Sequence, residues 1–359
     1  MGELGVTGMR ISLEYGGVGA DCVSTGIASE EIARGDFNCG YAVMVNGLLG
    51  EMVEHHATEQ VKEAWLPPLA KGEKILGICL TEPECGSDAA ALQTRADKRG
   101  DEYVINGQKS SISFSTVADA FIVFDKTNPA AGARGISAFM VPADSPGLER
   151  TDYQDMGSRM IHRGSVFFDD VRVPVENLIG EENQGFYKVM NGFDMSRAYI
   201  AMMCIGAAQT SLEETIAYTK TRKAFQIPLA KYESVSFPIS EYWAKLDMIR
   251  WYSYRALWLR DNRLPHTKEA AAIRLGPKVA AECIHECLLL HGHYGYSQDM
   301  PLEQRLRDVI GLELGDGTAN IQKVIIGREL FGKEYWVIPA SGCPSIMACK
   351  RSLSPVRRC

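Results

Sequence analysis

No run of about 18 apolar residues, the length that spans a bilayer, occurs anywhere in this chain, so no apolar membrane-crossing helix is expected. Met1 is followed by Gly-Glu-Leu-Gly, with neither a basic segment nor an apolar core, so no secretion signal is expected either. The ten cysteines include no Cys-x-x-Cys pair. A chain of this length builds its core without disulfides, so reduced thiols and a cytoplasmic location are the expectation. Surplus positive charge is lacking too. The net charge of −7 argues against nucleic acid as a partner. What is present is ordinary: 46% hydrophobic and 23% charged residues, enough for a large core under a mildly acidic surface.

Cys283, Cys287, His291 and His293 have a metal-like look. Cys283 and Cys287 share one helix face, but they sit among Ile284, Leu288, Leu289 and Leu290. The better reading is small buried apolar side chains, and no metal site is expected.

The hydrophobic period changes twice along the chain, and no internal repeat is seen. Residues 1–20 are glycine-rich and read as loop. Helical spacing follows over residues 23–33, 40–55 and 57–69, the last broken by Pro67-Pro68. From 75 to 173 come short, β-branched or aromatic segments bounded by Gly, Asp, Asn and Pro: 75–82, 91–97, 102–106, 120–126, 135–142 and 165–173. They predict a β-barrel or sandwich. Long helical patterns then cover 186–217, 236–264, 266–291 and 318–331. The fold class is therefore α+β. It comprises an N-terminal helical domain (1–73), a β domain (74–180), a C-terminal four-helix bundle (181–334) and an irregular tail (335–359).

One stretch organises the β region: Leu80-Thr81-Glu82-Pro83-Glu84-Cys85-Gly86-Ser87-Asp88. It follows an apolar strand that Pro83 terminates, because proline has no N–H for a ladder. Gly86-Ser87 makes an open turn whose N–H groups and hydroxyl suit an anion such as phosphate. The plainer reading is a strand, a turn and a few solvated carboxylates.

The order of motifs decides between these. Thr81 to Asp88, Asn106-Gly107-Gln108-Lys109 with Ser111-Ile112-Ser113, and Asp170-Val171-Arg172-Val173-Pro174 with Gly185-Phe186 come first. Phe193-Asp194 with Arg197, Arg222 with Phe225, Gly292 to Asp308, and Gly317-Thr318 with Ile321-Gln322 follow. Over roughly residues 12 to 334 this collinear series resembles the acyl-CoA dehydrogenase family, FAD enzymes that oxidise acyl-CoA thioesters at Cα and Cβ. The resemblance implies FAD contacts at Ile78, Leu80, Thr81, Gly86, Ser87, Ser111, Ser113, Arg222, Phe225, Thr318 and Asn320. Ser113 would lie near flavin N5, and Arg222 would reach the pyrophosphate from a neighbouring subunit. It implies substrate contacts at Ser87, Phe193, Asp194, Arg197 and Gly317. Read without it, Asp194 and Arg197 are an ion pair on a buried helix.

The resemblance also places the catalytic base at Asp316, where the family commonly has Glu. Aspartate is one methylene shorter, so its carboxylate starts about 1.5 Å further back. Asp316 is equally suited to cap the helix that begins near Thr318. Glu51 and Glu54 are the next candidates for the base. Gly315 stands where the family often has an aromatic residue, and Ser111 where it often has Trp. Leu289, His293 and Glu233 replace Gln, Gly and Gln. A roomier pocket with a shorter base implies a cyclic or branched acyl group and resembles the cyclohexanecarboxyl-CoA dehydrogenase branch. The implied partners are an acyl-CoA, an electron-transfer flavoprotein and further copies of the chain in a tetramer or dimer. Family chains commonly carry two helices before the loop at residues 13–17, and these are lacking here. A dehydrogenase of carrier-protein-bound acyl groups, or a truncated non-catalytic homologue, are the alternatives.

Overall fold

A computed structural model of the protein describes residues 1–332 and Tyr335; the expected tail lies outside the described residues except for Tyr335. The chain opens with 3-10 turns and then three helices, α1 (Cys22–Gly35), α2 (Phe37–His56) and α3 (Glu59–Ala70). Each begins at a side-chain cap: Asp21 accepts from Ser24 N–H, Asp36 from Cys39 N–H and Thr58 from Val61 N–H. Helix α2 is buried on nearly every face. Helix α3 continues through Pro67 and Pro68 to Ala70 rather than breaking there. The two prolines sit in its last turn, where little helix remains to be disrupted.

The β segments form one seven-stranded sheet in the order β1-β4-β2-β3-β7-β6, with β5 paired to β4. The strands are β1 (Leu76–Cys79), β2 (Arg95–Arg99), β3 (Glu102–Ile112), β4 (Ala120–Lys126), β5 (Ile136–Pro142), β6 (Leu148–Arg150) and β7 (Gly164–Pro174). β1 runs parallel to β4, and β3 antiparallel to β7. The β3–β7 register slips twice, between Ile105 and Gly107 and between Lys109 and Ile112. At the first slip Gly107 has φ 140°, and a Cβ there would lie 2.4 Å from Thr94 Cγ2, so only glycine fits. The second slip carries Ser111 into a left-handed conformation with φ 58°.

The C-terminal region is built on α4 (Gly185–Thr221), which packs against α1 and α2 and against four later helices. A hairpin, β8 (Lys223–Ala224) and β9 (Ile227–Pro228), leads to α5 (Glu233–Asp261). After it come α6 (Thr267–Ile273), α7 (Gly276–His291), α8 (His293–Tyr296), α9 (Leu302–Gly311) and α10 (Ala319–Phe331). The single helix expected over 266–291 is two helices, broken at Arg274-Leu275. Pro277 cannot donate to the Ile273 carbonyl and its ring clashes with it. Helices α8 and α9 have no counterpart in the sequence expectation. Cys283, Cys287 and His291 are buried along one face of α7, while His293 is exposed.

Candidate active site

A cleft of about 570 Å³ opens where the ends of β1 and β3 face α2, α4, α9 and the loop before α10. Of the residues predicted for the site, it brings together Ile78, Leu80, Thr81, Gly86, Ser87, Ser111, Ser113, Phe193, Arg197, Asp316, Gly317 and Thr318. Three strained non-glycine residues lie in or beside it: Ser111 (φ 58°), Phe114 (φ 62°) and Asp316 (φ 49°). Left-handed conformations cost such residues about 1–3 kcal/mol each and persist only where the surroundings impose them.

The surroundings of Asp316 show how. Arg274, 1% exposed, donates to the carbonyls of Leu312 and Gly315, the latter at 2.5 Å. Gln322 Nε2 donates to the carbonyls of Asp316 (3.2 Å) and Gly317 (2.9 Å), and Arg197 Nε donates to the Asp316 carbonyl at 3.3 Å. The backbone of this loop is thus clamped from α4, from the α6–α7 break and from α10. The Asp316 carboxylate takes a 2.5 Å hydrogen bond from the Ser196 hydroxyl, and its other oxygen has no partner among the described residues. The helix-capping role belongs instead to Thr318, whose hydroxyl accepts from Ile321 N–H. Asp316 lies two residues outside that cap.

Beneath the cleft wall the Thr81–Asp88 stretch is pinned by buried charge. Glu82 is 6% exposed, not solvated, whereas Glu84 and Asp88 are exposed. Lys109 is fully buried and donates to Glu82 (2.9 Å), to the Phe124 carbonyl (2.6 Å) and to the Leu80 carbonyl (3.4 Å). Glu82 also accepts from Gln93 N–H (2.6 Å), Thr94 N–H (3.0 Å) and the Thr94 hydroxyl (2.7 Å). Burial alone would raise the Glu82 carboxyl, but Lys109 and these donors outweigh it and hold its pKa below the usual value. Asp125, 3.8 Å from Lys109, has no hydrogen-bond partner for either oxygen among the described residues, and burial pushes its pKa up.

A second cleft, about 840 Å³, shares Met190 and Arg197 with the first. Asp194 lies here, bonded to Arg197 Nη1 (2.7 Å) and to the Thr267 hydroxyl (2.6 Å). The ion pair read from spacing alone is therefore formed. Glu51 also lines this second cleft and is spanned by Arg10 (2.9 Å) and Arg260 (2.6 Å). Burial works to raise the Glu51 carboxyl, and the two guanidiniums overcome it and lower its pKa. Glu54 accepts from Ser12 N–H at 3.0 Å. Neither Glu51 nor Glu54 lines the cleft that holds Asp316, so both fall away as candidate bases.

Arg222, Phe225 and Asn320 lie outside both clefts. Arg222 ends α4 and is exposed, Phe225 is 92% exposed beside the β8–β9 hairpin, and Asn320 is exposed on α10. Several residues absent from the sequence expectation line the first cleft, Tyr41, Tyr153, Asp155 and Arg163, together with Arg307, which was part of the motif series but was assigned no contact. Ser196 was within reach of pattern reasoning, since it stands three residues after Phe193 on the same helix face. Arg274 also carried a signal, as a lone cation in the apolar run Ala270-Ala271-Ala272-Ile273. Arg163 and Asp155 carried none, because their loop joins the site only through the fold.

The donor set fits a flavin. Hydroxyls of Thr81, Ser87, Ser111, Ser113 and Thr318 line the cleft together with apolar Ile78, Leu80, Phe193 and Leu312, which suits a flat apolar ring rimmed with heteroatoms. The family models agree. The acyl-CoA dehydrogenase N-terminal domain matches residues 1–73, the middle domain 77–171 and the C-terminal domain 183–331. The chain is 37% identical over 335 residues to a probable acyl-CoA dehydrogenase, YngJ, of Bacillus subtilis (strain 168), covering 92% of this chain and 88% of that one. It is 38% identical over 334 residues to the mitochondrial short-chain specific acyl-CoA dehydrogenase of Rattus norvegicus, covering 92% and 81%. The solved structure of butyryl-CoA dehydrogenase from Megasphaera elsdenii superposes with a TM-score of 0.88 at 33% identity, covering 92% and 88%. Two of these three names specify short-chain or butyryl esters, and none names a cyclohexanecarboxyl ester. Motif order, domain matches and fold converge: this chain belongs to the acyl-CoA dehydrogenase family, enzymes that use FAD to oxidise a CH–CH bond.

Proposed function

We propose that the protein dehydrogenates a compact acyl-CoA thioester, with Asp316 as the base. The observation that carries this is the state of the two carboxylates in the cleft. Asp155 is committed to Arg163 at 2.7 Å, whereas Asp316 keeps one oxygen free of any described partner. Asp316 takes the α-proton as the Cα–H bond breaks, and the Gly317 backbone beside it helps to hold the thioester. Bound FAD supplies the acceptor for the hydride that leaves Cβ, so a C=C bond forms and two electrons leave the substrate. Thr81, Ser87, Ser111, Ser113 and Thr318 would hold that flavin from this chain. Arg222, Phe225 and Asn320 would do so from a second copy, which explains why they lie outside the cleft.

The carrier arm belongs in the second cleft. Met190 and Arg197 join the two spaces, and Arg263 at the rim carries no ion pair among the described residues, leaving a cation for a phosphate of CoA. An electron-transfer flavoprotein would then reoxidise the flavin.

The acyl group is proposed to be cyclic or branched, with cyclohexanecarbonyl as the test case. A Cβ built on Gly315 would meet only Leu312 Cδ2, at 3.7 Å, so the loop beside the base has room. Gly315→Leu should fill it and lower kcat/KM for cyclohexanecarbonyl-CoA about 10- to 200-fold, the range for excess bulk in an apolar pocket, with a smaller loss for butyryl-CoA. Anaerobic bleaching of the bound flavin by butyryl-, isobutyryl-, octanoyl- and cyclohexanecarbonyl-CoA tests the whole reading. Bleaching is expected to be fastest with the ring ester. Turnover of the straight-chain esters alone would sink the cyclic substrate. Bound FAD that no CoA ester bleaches would point to a carrier-protein substrate, and failure to bind FAD to a non-catalytic homologue.

A further inference from the structure

The clamps on the 312–317 loop leave one part of it alone, the Asp316 carboxylate. Arg274, Gln322 and Arg197 all donate to backbone carbonyls between Leu312 and Gly317. They fix where the side chain starts, not how its carboxylate is turned. The torsion that turns a carboxylate is soft and roughly two-fold. Among the described residues one side chain is hydrogen-bonded to it: the Ser196 hydroxyl, which donates to Oδ2 at 2.5 Å. Ser196 sits on α4, 0% exposed, and does not line the cleft. It stands behind the base, out of the substrate's reach.

A second contact shows why a hydroxyl suits this place. Ser196 Oγ also lies 3.2 Å from the Phe193 carbonyl, three residues earlier on the same helix. A serine hydroxyl has one proton to donate, so two acceptors compete for it. While Asp316 is charged, its carboxylate is the stronger acceptor, and its distance is the shorter one. Once Asp316 holds the α-proton and is neutral, it accepts more weakly, and the Phe193 carbonyl remains in reach. The buried hydroxyl therefore has an acceptor in both states of the base.

We propose that Ser196 is a positioning residue for Asp316: it holds one carboxylate oxygen and so turns the other, which has no described partner, toward the α-carbon of the substrate. This deepens the reading of Asp316 as the base and rests on it. The substrate's proton still goes to Asp316, and Ser196 neither gains nor loses one.

The test is exchange of the α-proton with deuterated solvent in the FAD-loaded protein, with butyryl-CoA and with cyclohexanecarbonyl-CoA. Ser196→Ala should keep its FAD and lose exchange at saturating ester by about 10- to 100-fold, since misplacing a reacting group by about 1 Å costs up to about 100-fold. The ester concentration that half-saturates exchange should stay the same, because Ser196 does not touch the ester. Ser196→Thr, which keeps the hydroxyl, should restore the rate. Should Ser196→Ala lose FAD, Ser196→Cys takes its place; its thiol is a weak donor, and it should show the same fall. Ser196→Ala, or Ser196→Cys in its place, exchanging at the unmodified rate while Asp316→Asn does not would overturn this inference and leave Asp316 as the base. Exchange that survives in Asp316→Asn would overturn both readings. A loss that Ser196→Thr fails to restore, or one that appears only in the half-saturating concentration, would assign Ser196 to packing and overturn the inference too.

Discussion

Asp316→Asn should keep its FAD and lose α-proton abstraction by about 10²- to 10⁴-fold, the range for a positioned general base. The change is nearly isosteric, so Ser196 can still pair with the amide and the loop keeps its clamps from Arg274 and Gln322. The measurement is exchange of the acyl-CoA α-proton with deuterated solvent, followed by proton NMR, which reports the base without requiring hydride transfer. Exchange at the unmodified rate would remove Asp316 from the role. Glu51 and Glu54 would not replace it, because their carboxylates are committed elsewhere. Asp316→Glu is the informative companion. It adds the methylene that the family commonly has at this position, and in a pocket shaped around the shorter base it should lower kcat while leaving FAD binding intact.

The second large effect is on stability. Lys109→Met should cost about 3–5 kcal/mol, the usual consequence of removing one partner from a buried ion pair. The reason is what stays behind: Glu82 and Asp125, both buried, with no cation between them. The pH dependence has a definite sign. In the unmodified protein the Glu82 carboxyl is held low, so its contribution is present above the unfolded value of about 4.3 and is lost as pH falls through the lower folded value. In Lys109→Met both buried carboxyls have raised folded values, so the folded state binds more protons and stability falls as pH rises. The gap in Tm between the two proteins should therefore widen from about pH 4, near the unfolded carboxyl values, toward neutrality. A gap that narrows would mean the carboxylates find other partners. Because Lys109 also holds the Leu80 carbonyl, FAD affinity should fall with the same substitution.

The parts of the fold that sequence alone revealed are those with strong period. Strand β4 lies where its apolar run placed it, and α2 and α4 emerge as buried helices, because burial on all sides writes itself into composition. The break at Arg274-Leu275 was legible in Pro277 and was passed over, whereas the carbonyls that Arg274 clamps, 38 and 41 residues further along the chain, are encoded in no local pattern. At the site, Thr81, Ser113 and Asp316 were legible only through motif order, Ser87 also as a turn suited to an anion, and residue chemistry alone pointed elsewhere for two positions. Glu82 looked solvated and is buried under Lys109. Asp316 looked like a helix cap, and the cap is Thr318. Tyr41 and Arg163 were not legible at all, because α2 and the segment leading into β7 come to line one cleft through a meeting that no local pattern encodes.

Four residues of α4 serve two separate spaces. Phe193 faces the acyl cleft, Asp194 the neighbouring cleft, Ser196 the base and Arg197 both. They span about 6 Å of helix rise, so with the substrate placed as proposed a single turn would gauge the distance between the reacting carbons and the carrier arm. A one-residue insertion upstream of Phe193 would rotate this turn by about 100° and throw both halves of the thioester out of frame together. On that placement substrate length would be tied to helical phase. A change in the acyl group accepted would then fall to Gly315, where a Cβ has room, rather than to the length of α4.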